Sequence, residues 1–149
     1  EIAMSSSRLL ALAFGAEDYT NDMAIKRRPD NSEIEFARHC VAIAARSANL
    51  LSLDTPYFEF KNDEGLKRDV EMARSIGYTG KFAIHPDQIK AINNGFIPSP
   101  EEIEQAKHIV SEYQKAVKLG KGAIGLNGVV IDVPVVKRAQ AVIDMVNTL

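Results

Sequence analysis

An apolar run followed at once by two carboxylates, in residues 9–18 (LLALAFGAED), constrains the fold most strongly. A continuous apolar run of this length is typical of a strand buried on both faces, as in a parallel sheet. Gly15 breaks the run, and Glu17 and Asp18 follow at the carboxyl end of the predicted strand, where α/β proteins build their sites. Asp18 or Asp22 could instead only cap the next helix, and the residues alone leave both interpretations open.

The composition is that of an ordinary globular protein, with 149 residues, 46% hydrophobic and 26% charged. A net charge of −2 gives no electrostatic footprint for nucleic acid. No apolar run reaches membrane-spanning length, and no signal-peptide pattern opens the chain. The one cysteine, Cys40, argues against a disulfide framework and against a cysteine metal site. We therefore expect a cytoplasmic protein that binds neither nucleic acid nor membrane.

Three strand–helix units follow one another, a pattern that predicts a parallel sheet with right-handed crossovers. The predicted strands are Leu9–Phe14, Leu51–Phe60 and Lys81–Ile84, and the helices after the first two are Ser32–Asn49 and Glu64–Ile76. Three parallel strands leave unpaired edges, so we expect the sheet to be completed by further chain or by other copies.

Helix signals predict how these helices begin, end and face the sheet. The first helix is expected to turn small apolar residues toward the sheet and to keep Arg38 and Arg46 elsewhere. The second is expected to begin at an Asn62 or Asp63 cap and to end at Gly77, which readily adopts the left-handed conformation of a helix stop.

The remaining chain carries equally clear local signals. Pro86 suits the first position of a helix, which places His85 at its N-cap. Residues 99–102 (SPEE) form a capping box that opens another helix. Asn127-Gly128 favours a type I′ hairpin, and a last helix follows Asp132.

Polar side chains that follow the three strands are expected to surround one opening, because the carboxyl ends of parallel strands meet at one edge. Hard oxygen ligands without cysteine suit Mg²⁺ or Mn²⁺ rather than zinc. The helix after Pro86 is predicted to offer free backbone N–H groups to an anion or a developing oxyanion. The side chains of this edge are Glu17, Asp18, Glu59, Asp63, His85 and Gln88.

Each candidate also has a plainer interpretation. His85 could be only a helix cap, and Glu59 could belong to a solvated loop. Arg27 and Arg28 could bind phosphate groups or could simply face solvent. The residue pattern by itself makes Asp132 an N-cap.

Several segments resemble one family when they are taken together. They are LALAFGAEDYTND, LSLDTPYFEF, GYTGKFAIHPDQI, FIPSPEEIEQA and GLNGVVIDVPVVKRA. In this order along the chain they are similar to the citrate lyase β subunit and to the citramalyl-, malyl- and β-methylmalyl-CoA lyases of the HpcH/HpaI aldolase superfamily. The combination of GKFAIHPDQI with GLNGVVIDVP is the specific part of the resemblance.

The resemblance implies that the chain is the C-terminal part of a (β/α)8 TIM barrel. Residues 1–98 would then carry strands six to eight, and residues 99–149 a helix–hairpin–helix extension. The sequence begins without Met, and the resemblance places this beginning inside the barrel. The first five strands would supply an arginine that grips the substrate carboxylate and a glutamate that is the other Mg²⁺ ligand.

Residue by residue, the resemblance implies roles at five positions. Asp18 matches a Mg²⁺ ligand, and the backbone of Glu17 and Asp18 matches a segment that touches the substrate carboxylate. Ile84 and His85 match the point where the last strand meets the pantetheine arm of coenzyme A (CoA). Asp132 matches an acid that reaches into a neighbouring subunit's site and exchanges a proton there.

The activity implied is a Mg²⁺-dependent C–C bond lyase of the aldol or Claisen type. It would cleave a citryl-, citramalyl- or malyl-thioester, carried by CoA or by an acyl-carrier protein, to an acetyl-thioester and an oxo acid. The expected partners are copies of the same chain, in a trimer or hexamer, and the citrate lyase α and γ subunits. A chain with this half alone is expected to be inactive. A non-catalytic subunit that retains the fold is the alternative.

Overall fold

The structure is a computed structural model, and it describes residues 1–147. The chain divides into two compact units, Glu1–Phe96 and Ile97–Leu149, and each is described by itself. Within residues 1–147, no helix is both long enough and apolar enough to cross a membrane.

The first unit is a three-stranded parallel sheet with strand order β1-β2-β3, connected by helices. The register pairs Ala11 with Leu51 and Leu53 with Gly80. The predicted parallel α/β arrangement is therefore confirmed. In chain order the elements are β1 (Ala11–Ala13), α1 (Ala16–Asp22), α2 (Glu35–Ser47), β2 (Leu51–Asp54), α3 (Asp63–Ser75), β3 (Gly80–Lys81) and α4 (Pro86–Phe96), after a 3₁₀ turn at Ile2–Met4.

The prediction of a first strand buried on both faces is wrong. The strand has only three residues, and the neighbouring Leu10 is 78% exposed. Leu51, its neighbour across the sheet, is exposed as well. These side chains are apolar enough for a covered face, but no element of the described chain covers them.

The core of the first unit lies where α2 and α3 meet the strands. Phe14, Ile34, Ala42 and Ala73 are buried together in one cluster. Alanine allows a close helix–strand approach because its side chain ends at Cβ, so α2 lies directly on β1 and β2. A second cluster, built on Val70 and its neighbours, joins α3 to α4.

The helix ends follow their local signals closely. Asn62 caps α3, since its side-chain oxygen accepts the Gly65 N–H at 2.9 Å. Gly77 follows α3 with φ of +101°, a conformation that a residue with Cβ rarely adopts. Pro86 is the first residue of α4, as predicted.

The second unit pairs two helices through a hairpin. The capping box is present, because Glu102 N–H donates to Ser99 Oγ at 3.2 Å and Ser99 N–H donates to Glu102 Oε2 at 2.8 Å. Asn127 and Gly128 have φ of +50° and +80°, as a type I′ turn requires. The elements are α5 (Pro100–Lys118), β4 (Ile124–Leu126), β5 (Val129–Ile131) and α6 (Val133–Asn147).

Candidate functional site

The turn between β1 and α1 presents two carboxylates at the carboxyl edge of the sheet. Gly15 is the N-cap of α1, and Glu17 and Asp18 lie in its first turn, where the helix dipole favours negative charge. Asp22 is the last residue of the same helix, so neither Asp18 nor Asp22 is its N-cap. The exposed Asp18 carboxylate has no hydrogen bond or ion pair within residues 1–147.

A buried hydrogen bond fixes this turn against the neighbouring strand. The backbone N–H of Ala16 donates to Thr55 Oγ1 at 3.2 Å, and both residues are buried. Thr55 directly follows β2. The position of Asp18 over the sheet edge is therefore set by the end of β2.

Glu17, unlike Asp18, is already paired. Arg27 donates from Nε to Glu17 Oε1 at 2.8 Å and from Nη2 to Asn31 Oδ1 at 2.9 Å, and it also pairs with Glu33. Arg28 lies 3.5 Å from an Asp30 carboxylate oxygen, with both side chains exposed. The contacts of Arg27 organise its own loop, which disfavours a phosphate-binding role for this residue.

Asp18 is the carboxylate of the β1–α1 turn that is free to hold a metal ion. Within residues 1–147, no three His, Cys, Asp or Glu side chains lie close enough to hold a metal by themselves. Mg²⁺ needs fewer, since it commonly takes one or two carboxylates and completes its shell with water and substrate oxygens. Asp18 fits this requirement, whereas Glu17 would first have to leave Arg27.

Directly beneath the sheet edge lies a buried cluster of four charges, which we call the charge cluster: Arg38, Asp54, Asp69 and Lys81. Arg38 Nε donates to Asp54 Oδ1 at 2.8 Å, and its Nη2 lies 3.1 Å from Asp69 Oδ1. Lys81 Nζ is 2.7 Å from Asp54 Oδ2 and 2.5 Å from Asp69 Oδ2. The two cations and two anions balance, so the cluster is electrically neutral.

The charge cluster ties α2 and α3 to the carboxyl ends of β2 and β3. Lys81 Nζ also donates to the Thr55 carbonyl at 2.6 Å. Burial by itself lowers the pKa of Arg38, but its hydrogen bond and the charges of Asp54 and Asp69 outweigh burial and raise that pKa. Arg38 therefore remains positively charged. Its charge compensates the two buried aspartates, which would be unfavourable in the interior without a cation beside them.

Sequence reasoning missed this cluster and placed Arg38 away from the sheet, which is wrong. Arg38 is buried because the two carboxylates compensate its charge, and helix periodicity alone cannot show such partners. A usable signal was present, since Asp54 lies inside one predicted strand and Lys81 begins another. A charge inside a buried parallel strand usually has a buried partner.

The turn between β3 and α4 holds Ile84 and His85, and its backbone N–H groups are already engaged. Ile84 N–H and His85 N–H donate to Gln88 Oε1 at 2.9 and 3.3 Å. Asp87 N–H donates to His85 Nδ1 at 3.3 Å, and Gln88 N–H to the His85 carbonyl. The prediction of a freely available helix N-terminus is therefore wrong for these four N–H groups, because the side chains of Gln88 and His85 accept three of them and the His85 carbonyl accepts the fourth.

His85 also contacts the loop after β2. Its ring stacks on Phe60 with centroids 4.9 Å apart and an angle of 22° between planes. Lys61 Nζ lies 5.7 Å from the centroid of the Phe60 ring. Asp87 Oδ2 lies 3.4 Å from His85 Nδ1. Ile84 remains exposed beside this pair. The stacked rings of Phe60 and His85 form an aromatic surface at the carboxyl edge of the sheet.

A cleft of about 480 Å³ opens at the same edge, between the loops that follow β1 and β2. Glu59 Oε2 there accepts from Tyr57 Oη at 3.2 Å and from Asn62 Nδ2 at 2.9 Å, so it is bound within its loop. Burial and the neighbouring Glu59 charge raise the pKa of Tyr57. The candidate residues that line the cleft are Glu17, Arg27, Arg28 and Glu59, and Asp18, Ile84 and His85 do not line it.

A larger cavity of about 600 Å³ lies at the opposite, amino-terminal ends of β2 and β3. Its lining is mostly apolar and includes Ala42, Leu50 and Ile76. None of the candidate residues lines it. Sites of α/β proteins lie at the opposite, carboxyl ends of the strands, so this cavity is not a candidate reaction site.

In the second unit, Asp132 precedes α6 and caps it. The Val135 N–H donates to Asp132 Oδ1 at 3.3 Å, and the Val136 N–H donates to the Asp132 carbonyl at 3.0 Å. The side chain is partly buried. This is the geometry of the N-cap that the residue pattern predicts.

Comparison with known proteins identifies the family to which this chain belongs. Residues 1–86, which include the charge cluster and the turn of Ile84 and His85, match the HpcH/HpaI aldolase/citrate lyase family. The chain belongs to the HpcH/HpaI aldolase/citrate lyase family. The expected resemblance is thereby confirmed.

Relatives within this family include two groups of lyases. The chain is 37% identical over 147 residues to the citrate lyase subunit beta of Leuconostoc mesenteroides subsp. cremoris, covering 99% of this chain and 49% of that protein. It is 33% identical over 139 residues to the mitochondrial citramalyl-CoA lyase of Mus musculus, covering 93% and 41%. The chain spans about half the length of these relatives.

Solved structures of the family share the fold. The CitE protein of Mycobacterium tuberculosis, in complex with magnesium, acetoacetate and coenzyme A, superposes with a TM-score of 0.82 at 26% identity, covering 97% of this chain and 54% of that one. A citrate lyase from Burkholderia xenovorans gives a TM-score of 0.84 at 25% identity, covering 99% and 48%. The similarity runs through nearly all of this chain.

Proposed function

We propose that this chain is the C-terminal part of a Mg²⁺-dependent C–C bond lyase. The reaction is cleavage of a citryl-, citramalyl- or malyl-thioester to an acetyl-thioester and an oxo acid. The observation that carries the proposal is Asp18, an exposed and unpaired carboxylate at the carboxyl edge of a parallel sheet, in a chain of this lyase family. CitE binds magnesium and coenzyme A, which supports the same ligands here.

The open edges of the sheet support the proposed barrel. β1 and β3 each pair on one side only, with β2, within the described residues. Residues 1–98 in this proposal are strands six to eight of a (β/α)8 barrel, and residues 99–149 are its extension. The remaining strands would pair with both open edges and would bring the substrate arginine and the second carboxylate ligand.

Each residue then has a defined part in the reaction. Asp18 holds the metal, and the backbone of Glu17 and Asp18 lies beside the substrate carboxylate. Bound Mg²⁺ would supply Lewis-acid polarisation of the oxo-acid half. Ile84 and His85 contact the thioester arm, where the Phe60–His85 stack provides a fixed surface.

The bond changes balance through two proton transfers. A base removes the proton of the substrate hydroxyl, the C–C bond breaks, and its electron pair remains on the acetyl-thioester as an enolate. The hydroxyl carbon becomes the carbonyl of the oxo acid. Asp132 of a neighbouring subunit delivers a proton to the enolate carbon, and in the reverse direction it removes one. The proposed assembly is therefore a homo-oligomer, a trimer or hexamer, working in the cytoplasm.

The experiment uses the protein expressed from its complete reading frame. Purified protein is assayed with citramalyl-CoA, malyl-CoA and a citryl-thioester, with Mg²⁺ and again with EDTA. We expect cleavage of at least one thioester, lost with EDTA and restored by Mg²⁺. The 149-residue chain alone is expected to give none, since the proposed second carboxylate ligand and the substrate arginine belong to the remaining strands. Cleavage by the chain alone would overturn the barrel proposal.

A second candidate is a non-catalytic subunit that keeps the fold, for example beside the citrate lyase α and γ subunits. Such a subunit would keep the fold but lack the upstream arginine and glutamate that the proposed enzyme requires. A folded complete protein that cleaves none of the three thioesters in the presence of Mg²⁺ would select this candidate over the enzyme.

A further inference from the structure

Gln88 is a buried amide side chain, 1% exposed, that makes three hydrogen bonds. Its Oε1 accepts from Ile84 N–H at 2.9 Å and from His85 N–H at 3.3 Å, and its Nε2 donates to the Tyr57 carbonyl at 2.7 Å. Backbone N–H groups only donate and a carbonyl only accepts, so these partners allow a single orientation of the amide.

These hydrogen bonds connect two segments beyond the end of the sheet. The ladder between β2 and β3 ends at the pair Asp54 and Lys81. Tyr57 lies in the loop after β2, and Ile84 and His85 lie in the turn after β3. Gln88 therefore joins two loops at the carboxyl edge where strand pairing no longer does so.

We propose that Gln88 is a positioning residue for the thioester arm. It holds the Ile84–His85 backbone against the loop of Tyr57, so that the turn keeps one shape while a ligand binds along it. The inference rests on the proposed function, which places the arm at Ile84 and His85. Gln88 acts through these residues and does not touch the ligand, because its own side chain is buried.

The test replaces Gln88 in the complete protein and measures binding separately from catalysis. Gln88→Met fills a similar volume and removes all three hydrogen bonds. We expect the Kd for CoA, by calorimetry, and the KM for the thioester to rise about tenfold, with kcat and the Mg²⁺ requirement nearly unchanged. Gln88→Glu keeps an acceptor for the two N–H groups and is expected to retain part of the affinity.

Ser52→Ala is the matched control. Ser52 is buried, and its Oγ donates to the Gly77 carbonyl at 3.2 Å at the other end of the sheet. This variant also loses a hydrogen bond of a buried side chain, but we expect it to bind CoA like the parent protein.

The outcomes separate the two levels of the proposal. Unchanged CoA affinity in a folded Gln88→Met protein, or an equal loss in Ser52→Ala, overturns the inference. A parent protein that neither binds CoA nor cleaves a thioester overturns the proposed function, and the binding role of Gln88 falls with it. Amide hydrogen exchange then still decides the positioning role: faster exchange of Ile84 and His85 in Gln88→Met supports it, and unchanged exchange refutes it.

Discussion

Asp18 and Asp54 are both aspartates near the carboxyl edge of one sheet, yet their surroundings give them opposite properties. Asp54 is completely buried and compensated by two cations, whereas Asp18 is exposed and unpaired within residues 1–147. A carboxylate with no internal partner remains available to a metal ion. A carboxylate that is paired with buried cations stabilises the fold instead.

We expect Asp18→Ala in the complete protein to lower Mg²⁺-dependent thioester cleavage by at least about 100-fold, since losing even an indirect partner of a metal ligand costs about 10- to 100-fold. Steady-state assays over a range of Mg²⁺ concentrations measure the effect. Asp22→Ala, an exposed carboxylate at the end of the same helix, is the control and should be nearly silent. Near-normal turnover in a folded Asp18→Ala protein would contradict the assignment.

Asp132→Asn distinguishes a helix cap from a proton-transfer group. Asn caps a helix about as well as Asp, so we expect the melting temperature to remain unchanged. If the carboxyl exchanges a proton with the enolate carbon, turnover should fall about 100-fold or more. Full activity would leave Asp132 as the cap of α6 only.

Mixing variants tests whether Asp132 acts across subunits. Hetero-oligomers of Asp132→Asn chains with Asp18→Ala chains should regain part of the activity, because some mixed sites receive both intact groups. No recovery in verified hetero-oligomers would mean that Asp132 serves its own chain.

Asp69→Asn removes one anion from the charge cluster and leaves Arg38 and Lys81 with too little compensation. Removing one member of a buried ion pair costs about 3–5 kcal/mol, so we expect a large fall in the urea midpoint of the complete protein. The control Glu64→Gln breaks an exposed pair with Lys67 on the same helix and should leave the midpoint unchanged. Equal midpoints in both variants would show that the cluster does not stabilise the fold.

Local signals predicted single residues well and buried networks poorly. Asn62, Pro86 and the capping box at Ser99 were predictable because a cap depends on residues within one turn of chain. The contacts of Arg38 reach 16 residues to Asp54 and 31 residues to Asp69. Such partners come together only through the packing of several elements.

At the scale of elements, α3 and α4 pack so closely that one position accepts no side chain. A Cβ at Gly95 would collide with Val70 Cγ1. We expect Gly95→Ala to destabilise the protein by about 1–3 kcal/mol, as overpacking does. Denaturant unfolding measures the loss, and Gly122→Ala is the control, since nothing lies within 4 Å of its Cβ position.

The double variant Gly95→Ala with Val70→Ala tests the cause. Shortening Val70 removes the atom that collides, so the two losses should be less than additive. Strict additivity would place the effect of Gly95→Ala elsewhere than at the α3–α4 contact.

The order of the three parallel strands and of α2 and α3 followed from the alternation of strand and helix patterns, but α1 and the strand lengths did not. β2 was predicted to reach Phe60, and it ends at Asp54. Beyond that point the side chains of Gln88 and Thr55 form hydrogen bonds with backbone polar groups. The spacing of hydrophobic residues in the sequence gives no information about such hydrogen bonds. The roles of Asp18, Ile84, His85 and Asp132 came from family resemblance and stay predictions.

At the scale of the whole molecule, the described residues leave large apolar side chains uncovered. Leu10, Phe36 and Val130 are all exposed, and β1 and β3 have unpaired sides. Such surfaces favour pairing with further chain or with other copies. We expect the complete protein to be a trimer or hexamer by light scattering at tens of micromolar. A monodisperse monomer would contradict the proposed assembly.

The neutrality of the charge cluster has an evolutionary consequence. Loss of either acid leaves a buried cation uncompensated, and loss of either cation leaves a buried acid, so a single substitution passes through an unstable intermediate. Two simultaneous changes that remove one charge of each sign avoid that intermediate. Across descendants of this gene we therefore expect positions 38, 54, 69 and 81 to be inherited as a set, changing in compensated pairs while the surface around them drifts freely.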